Sequence, residues 1–175
     1  MGIRVGTIYA TKSISDGKTS YELSSNVDVN FLIYKLKVDY HVLSELSKGE
    51  LLSSVVKVES NRGNYLTDTQ KAKNGYGVES IQHEKSVNKK IHEVISSTFA
   101  SLYFNEPKSG DKVYAEYYAD FIHITKPSKE YYKGVLQDNI DEYYYEGGEL
   151  VKLVKKNKIT DMVIEYQKPS NKIAK

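Results

Sequence analysis

The sequence predicts an all-β protein, an antiparallel meander of about eight to ten strands curled into an open or closed barrel. Three observations predict this class. Apolar and polar residues alternate over long stretches, turn signals recur roughly every ten residues, and no segment of about a dozen residues carries an apolar stripe with the helical period. A twisted sheet with that many strands tends to curl or close, and closure removes its exposed edges.

The clearest alternation runs over residues 31–42, where one side is apolar and the other carries lysines, Asp39 and His41. The apolar side is formed by Leu32, Tyr34, Leu36, Val38, Tyr40 and Val42. A strand with this pattern buries one face and exposes the other, so we expect a sheet with one dry and one wet face. A second clean alternation, over residues 19–29, predicts the neighbouring strand.

Glycine-containing turns separate the strands in the first half of the chain. Asp16-Gly17 lies between two alternating runs and predicts a hairpin that joins a first strand over residues 3–13 to the second strand. Gly49, in the turn over residues 47–50, predicts a further hairpin. The strands that follow are predicted over residues 51–60, 65–70 and 76–83.

The second half of the chain contains a long alternating segment, residues 113–125, which predicts one strand. Its drier side consists of Val113, Ala115, Tyr117, Ala119 and Phe121, and its other side, a solvated outer face, of Tyr114, Glu116, Tyr118 and Asp120. Residues 98–104 fit either a strand or a single helical turn. The other strands are predicted over residues 91–98, 131–137, 143–145, 150–154 and 159–166. We expect one domain over residues 1–167 and a flexible tail over residues 168–175.

Composition excludes several functional classes. The 175 residues include no cysteine, which removes disulfides, iron–sulfur clusters, thiolate zinc sites and cysteine nucleophiles together. The formal net charge is only +2, and the arginines are Arg4 and Arg62. Nucleic-acid recognition relies on bidentate arginine and basic clusters, whereas these lysines are scattered among acids, so we expect no nucleic-acid partner. No apolar run is long enough to cross a bilayer, so we expect no transmembrane segment.

Several turns and strand edges, in their order along the chain, carry a resemblance to a known family. They are Asp16-Gly17, the strand over residues 34–40, Lys48-Gly49-Glu50-Leu51, Asn61-Arg62-Gly63-Asn64, Leu102-Tyr103-Phe104-Asn105-Glu106-Pro107, Val113-Tyr114-Ala115-Glu116 and Tyr143-Tyr144-Tyr145-Glu146-Gly147-Gly148-Glu149-Leu150. Over almost its whole length the chain resembles an uncharacterised bacterial family, a domain of unknown function whose members are often exported. The resemblance implies a lipocalin-like antiparallel barrel in the periplasm or cell envelope, or secreted, with no assigned catalytic residues.

No catalytic, cofactor or metal site is predicted. The four histidines fall on four different predicted strands without a second ligand nearby, and we interpret them as surface or rim residues: His41, His83, His92 and His123. Glu116 and Asp120 lie four residues apart on one predicted strand, about 13 Å, which is too far for an acid and a base that act on one bond. Asp138, Asp141 and Glu142 lack the frame of a calcium-binding EF-hand and are interpreted as hairpin-turn residues.

The sixteen tyrosines are the compositional peculiarity of the chain. Tyrosine is a good strand former, and the chain has no tryptophan and only four phenylalanines, so most tyrosines are expected in the core and the barrel wall. Ala115 and Ala119, which flank Tyr117, leave room for a cavity in the barrel lumen. The candidate ligand-binding residues that line this lumen are Tyr34, Tyr40, Tyr117, Phe121 and Tyr166.

Three functions are open at this stage. The leading hypothesis is a non-catalytic binding protein that holds an apolar or amphipathic small molecule in the lumen or mouth of the barrel. The alternative is an envelope scaffold or protein-interaction domain with a packed core, whose outer tyrosines or edge strand contact a partner. The least favoured is a hydrolytic enzyme, which would require Tyr114, Glu116 and His123 to converge in one pocket.

Overall fold

The computed structural model describes residues 6–31, 34–82, 85–156 and 161–167. Within these ranges the protein is all-β, with thirteen strands in two antiparallel sheets and one short 3-10 helix. The all-β, antiparallel class is therefore confirmed, although the strands are more numerous than the sequence predicts.

The first sheet is a seven-stranded meander, in which every strand pairs with its neighbours in the sequence. Its strands are β1 (Gly6–Ser15), β2 (Lys18–Phe31), β3 (Tyr34–Ser47), β4 (Glu50–Ser60), β5 (Tyr65–Ala72), β6 (Gly75–Gln82) and β7 (Lys85–Ile91). Because β1 and β7 lie at opposite ends of the strand order, this sheet is open in the described part of the chain.

Two-residue turns join the long hairpins of the first sheet. Asp16 and Gly17 have φ angles of 52° and 73°, and Lys48 and Gly49 have φ angles of 51° and 78°. Positive φ at both central residues is what the type I′ hairpin turn requires, and glycine adopts it without steric cost. The hairpins predicted at Asp16-Gly17 and at Gly49 are therefore confirmed.

The alternating sequence gives the first sheet a buried face, called the inner face below, and an exposed outer face. Its buried apolar side chains include Tyr21, Leu23, Val42, Leu46, Leu51, Val56, Val58, Tyr76 and Val78. Among them lies a row of small hydroxyl side chains, formed by Ser44, Ser54 and Thr69, which pair directly across β3, β4 and β5 and are also buried. The predicted division into a dry and a wet face is confirmed, and the dry face has a polar centre.

The second sheet has the strand order β13-β12-β11-β10-β9-β8. Its strands are β8 (Lys112–Ala115), β9 (Asp120–Thr125), β10 (Tyr132–Leu136), β11 (Asn139–Glu146), β12 (Glu149–Lys155) and β13 (Met162–Glu165). The chain forms two compact units, of which the first contains Met1–Tyr103 and Lys112–Ile122 and the second Phe104–Asp111 and His123–Lys175. The single domain over residues 1–167 stays a prediction, and the tail over residues 168–175 lies outside the described residues.

The structure corrects two predicted elements and decides between the two interpretations of a third. Residues 113–125 are not one strand, because β8 ends at Ala115 and a turn, with Ala119 at a φ of 52°, precedes β9. Residues 92–98 are not part of a strand but form an irregular segment with one isolated parallel bridge, Thr98 to Tyr114. Of the two interpretations of residues 98–104, the helical turn is correct, since a 3-10 helix spans Ala100–Tyr103.

Candidate functional site

Two stretches of the first unit, residues 92–103 and 112–119, lie on the inner face of the first sheet and are called the covering segments below. The backbone amide of Leu51 donates to the carbonyl of Ile95 at 2.8 Å, and the Lys89 ammonium donates to the carbonyl of Ala119 at 2.8 Å. The Thr67 hydroxyl donates to the carbonyl of Tyr117 at 3.3 Å. Side chains and backbone of the sheet thus hold the covering segments at several separate points.

Glu116 is the centre of the polar cluster between the covering segments and the sheet. Its side chain is fully buried, and its carboxyl group accepts hydrogen bonds from the backbone amides of Phe99 at 2.9 Å and Ala100 at 3.1 Å. These amides are at the start of the 3-10 helix, where backbone donors lack partners within the helix. The Ser44 hydroxyl on β3 donates to the same carboxyl group at 2.9 Å. Glu116 therefore joins the cap of the helix to the centre of the sheet.

The electrostatics of this carboxyl group follow from two opposing causes. Burial removes water from the charged form and raises the pKa of Glu116 above its ordinary value of 4.5. The hydrogen bonds that it accepts, from Ala100, Ser44 and Thr98 among others, favour the charged form and lower the pKa. Burial is the larger effect, so the pKa of Glu116 is raised.

Two tyrosines, Tyr114 and Tyr40, lie near enough to Glu116 for its charge to affect their pKa values. The Tyr114 hydroxyl and the Thr69 hydroxyl lie 2.8 Å apart, and burial raises the pKa of Tyr114. Tyr40 is half-buried, and desolvation of its phenol, together with the negative charge of Glu116, raises its pKa well above the ordinary value. Between Ser44 and Thr69, the buried Ser54 hydroxyl has no hydrogen-bond partner among the described residues.

The burial of the polar cluster around Glu116 favours a structural role for its side chains. A catalytic acid or base must come within hydrogen-bond reach of a substrate. Glu116, Tyr114, Ser44 and Thr69 are all closed off from solvent. The prediction that Glu116 and Tyr114 lie on a solvated face is wrong, because β8 is buried on both faces and the carboxyl group of Glu116, in the turn that follows, is held by Ser44 and Ala100. His123, the third residue of the hypothetical catalytic group, is exposed.

The residues predicted to line a lumen have different environments. Tyr117 is half-buried with its ring centroid 5.9 Å from that of Tyr65, and Phe121 packs on Tyr114 at a centroid distance of 5.7 Å. Tyr40 is in the polar cluster just described. Tyr166 is 55% exposed in the second unit, and the side chain of Tyr34 lies outside the described ones. The aromatic rings of the first unit therefore contact one another, and their role in binding stays a prediction.

An open depression of about 430 Å³ lies over strands β1 to β4 of the first sheet. It is called the Tyr9 depression below, and its lining is Tyr9, Ser24, Ser25, Asn26, Asp39, Tyr40, His41, Lys57 and Glu59. Because side chains alternate along a strand, Tyr40 and Ser25 contribute backbone here while most of the others contribute side chains of the outer face. Tyr9 is 68% exposed and lies opposite the small Ser24, which leaves its ring uncovered.

Several charged groups elsewhere form pairs on the surface. His41 Nε2 lies 2.8 Å from Glu22 Oε1 on the outer face, and His92 is exposed, while His83 lies outside the described residues. In the second unit, Lys155 pairs with Asp141 at 2.7 Å. Asp138 is in the β10–β11 turn as interpreted, whereas Asp141 and Glu142 belong to β11 itself.

The described ranges contain neither a group of side chains arranged to hold a metal ion nor a helix that could cross a membrane. No group of three or more histidine, aspartate or glutamate side chains is arranged to hold a metal ion among those residues. In the same part of the chain, no helix is long and apolar enough to cross a membrane.

Fold and geometry together define an all-β antiparallel protein whose first sheet has a closed polar cluster on one face and an open depression on the other. The chain belongs to the family described as Domain of unknown function (DUF6134), whose model matches residues 1–167. Searches among curated proteins and among solved structures gave no match. The bacterial source, the export and the lipocalin-like barrel that the resemblance implies stay predictions.

Proposed function

We propose that this protein is a non-catalytic binding protein that holds a small amphipathic molecule in the Tyr9 depression. The observation that carries the proposal is the exposed ring of Tyr9 beside a concave surface of about 430 Å³. Ligand sites in proteins commonly have volumes of about 300 to 1,000 Å³ and combine apolar surface with a few polar groups. The Tyr9 ring supplies the apolar contact for a flat or weakly polar part of the ligand.

The polar groups around Tyr9 supply hydrogen bonds in fixed positions. The Asn26 amide donates to the Asp39 carboxylate, which orients both side chains. His41 is oriented by Glu22 in the same way, and Lys57 lies opposite His41 on β4. Donors and acceptors that are already oriented lose less side-chain entropy when a ligand binds. A ligand with an apolar ring or chain and several polar substituents fits this arrangement.

The proposed binding site lies on the outer face of the first sheet rather than in a lumen. Tyr117 and Phe121 contact other aromatic rings, and the inner face is occupied by the covering segments. Glu116 and Tyr114, whose pKa values are raised by burial, are closed off from solvent. These observations favour binding without catalysis, and they favour the open surface over the interior.

The test compares two alanine variants of β1, one at Tyr9 and one at Ile14. Tyr9→Ala removes the ring from the depression, whereas Ile14→Ala removes an equally exposed apolar side chain, 72% accessible, that is not part of the depression. The probe is the amphipathic dye 1-anilinonaphthalene-8-sulfonate, followed by its fluorescence, alongside native mass spectrometry of protein purified from its own host. We expect dye binding and any co-purifying small molecule to be lost in Tyr9→Ala and kept in Ile14→Ala. Equal binding by both variants contradicts the proposal.

A second candidate, a protein-interaction domain, is favoured by exposed apolar side chains in the second unit: Met162, Val163 and Tyr166. For either function we propose the periplasm, the cell envelope or secretion as the location, on the family resemblance alone. Fractionation of the host cell, with an antibody against this chain, tests the location, and recovery in the cytoplasm contradicts it.

A further inference from the structure

The last strand of the second sheet, β13, is an edge with an unusual composition. It is the end strand of its sheet in the described part of the chain, where it pairs with β12 on one side. Met162 and Val163 are 49% and 50% exposed, and Tyr166, directly after the strand, is 55% exposed. Exposed edge strands offer unpaired backbone groups to other strands, and natural proteins usually blunt them with charge, proline or glycine bulges.

A comparison with another edge strand shows what β13 lacks. β7, at one end of the first sheet, carries Lys85, Lys89 and Lys90, and such lysines hinder pairing with a further strand. Met162–Glu165 has no lysine, proline or glycine, and its single charge, Glu165, lies opposite Lys152 of β12. The charge that would discourage association is thus balanced within the same sheet.

The backbone of β13 fixes which residues face outwards. The amide of Tyr166 donates to the carbonyl of Val151 at 2.9 Å, so it points towards β12. Backbone groups alternate in direction along an antiparallel strand, so Met162 and Ile164 also point towards β12. Val163 and Glu165 therefore direct their amide and carbonyl groups to the open edge.

We propose that β13 pairs with β13 of a second copy of this chain, antiparallel, around a two-fold axis at Ile164. In this register Val163 of one copy and Glu165 of the other exchange two backbone hydrogen bonds, and the symmetry repeats the exchange on the other side of the axis. Ile164 faces Ile164, and Met162 faces Tyr166, in pairs without hydrogen bonds, where side chains approach most closely. On the face that carries Met162, Ile164 and Tyr166, the side chains that meet are apolar, and on the other face Val163 lies opposite Glu165.

Self-complementarity is the reason for choosing a second copy as the occupant. Any extended peptide gains backbone hydrogen bonds at an open edge, but this strand supplies its own matching apolar row. No two like charges of β13 lie directly opposite in the two-fold register, since Glu165 is the single charge of the strand and it faces Val163. Like charges directly across a strand pair are destabilising, so their absence favours self-association.

Cross-linking tests the register, because the chain has no cysteine of its own. Ile164→Cys places two thiols across the axis in a pair without backbone hydrogen bonds, where Cβ atoms are about 4.5 to 5.5 Å apart and near disulfide geometry. Val163→Cys, one position away, faces Glu165 instead of itself, and Val87→Cys, on the β7 edge, is 62% exposed. Under mild oxidation of the full chain, we expect disulfide-linked dimers to form at least about tenfold faster with Ile164→Cys than with either control.

Sedimentation equilibrium tests the association without a cross-link. We expect the wild-type chain to show a concentration-dependent equilibrium of monomer and dimer, and Ile164→Lys, which sets two ammonium groups against each other, to raise the dissociation constant at least about tenfold. Val87→Lys should leave the constant unchanged, and circular dichroism of both variants checks that they are folded. A wild-type chain that remains monomeric at all concentrations, or equal cross-linking of Ile164→Cys and Val163→Cys, overturns the proposal. Both results are independent of the Tyr9 depression, so the two proposals fail separately.

Discussion

The two faces of the first sheet use similar residue types in opposite ways. On the inner face, Glu116 and Ser44 are buried and hydrogen-bonded to each other at 2.9 Å. On the outer face, Glu22 and His41 form an equally short contact, 2.8 Å, but both side chains are nearly half exposed. Water competes for the outer pair and cannot reach the inner one, so the same kind of contact has a different energetic effect. Burial, rather than distance, decides which polar residues hold the fold.

The largest effect is expected from Glu116→Ala. This change leaves the Ala100 amide and the Ser44 hydroxyl buried without their acceptor, and each unsatisfied group costs about 1 to 3 kcal/mol, whereas the Phe99 amide keeps the carbonyl of Tyr114 at 2.8 Å. We expect a loss of about 3 kcal/mol or more in the free energy of unfolding, measured by urea denaturation. Glu116→Gln keeps one acceptor oxygen and should lose less. Equal losses for the two variants would contradict this ranking, because they would show that neither the side-chain volume nor the one acceptor oxygen that glutamine keeps contributes to stability.

The pH dependence of stability separates the charge of Glu116 from its hydrogen bonds. Its pKa is raised above 4.5 in the folded protein, so the folded state holds the proton to a higher pH than the unfolded chain does. The stabilising contribution is therefore complete below pH 4.5 and is lost as the pH rises through the folded-state pKa. We expect the stability of wild type relative to Glu116→Gln to fall from acidic to neutral pH. A constant difference across that range contradicts the raised pKa.

Two neighbouring serines on the inner face, Ser44 and Ser54, test whether a hydrogen-bond partner determines the contribution of a buried hydroxyl group to stability. Ser44 and Ser54 are direct neighbours in one row and equally buried, but only the Ser44 hydroxyl has a described hydrogen-bond partner. Ser44→Ala should cost about 1 to 3 kcal/mol, because it removes a donor from a buried carboxyl group. Ser54→Ala should be neutral within about 0.5 kcal/mol or slightly stabilising, because it removes a polar group that the fold does not satisfy. If thermal unfolding gives both variants the same loss, the polar row acts only through packing.

The smallest effect is expected on the outer face, from Glu22→Gln. The contact with His41 is exposed to solvent, and exposed pairs of charged side chains contribute about 0 to 1 kcal/mol. We expect the midpoint of urea unfolding to stay within experimental error of the wild type. A loss close to that of Ser44→Ala would remove the contrast between the two faces.

Much of the first sheet can be predicted from the sequence because its signals are local. The turns at Asp16-Gly17 and Gly49 require positive φ, which aspartate-glycine and lysine-glycine pairs supply. The alternation around Val42 is a direct consequence of one buried face. By contrast, β7 carries exposed residues at every position but Ile91, so no apolar period marks it.

The polar cluster around Glu116 cannot be predicted from local sequence signals, because it depends on contacts between residues that are far apart in the sequence. The turn after Ala115 contains no glycine or proline, so the alternation of residues 113–125 imitates one continuous strand. The partners of Glu116 are the amides of Phe99 and Ala100 and a hydroxyl 72 positions away, Ser44. A carboxylate that satisfies distant backbone groups looks, in a single sequence, like any surface acid. The Tyr9 depression is equally invisible, because it depends on how four strands align.

The consecutive pairing of the first sheet has a consequence for how the molecule acquires its structure. Every strand from β1 to β7 pairs with a sequence neighbour. These contacts close short loops, so their formation causes only a small loss of chain entropy. The covering segments come afterwards in the chain, and attaching Glu116 to Ser44 closes a far longer loop. During synthesis on the ribosome, the first sheet can therefore be complete before the covering segments pack on its inner face. In that interval the apolar inner face is exposed to solvent, and transiently exposed apolar surface makes a folding chain prone to aggregation.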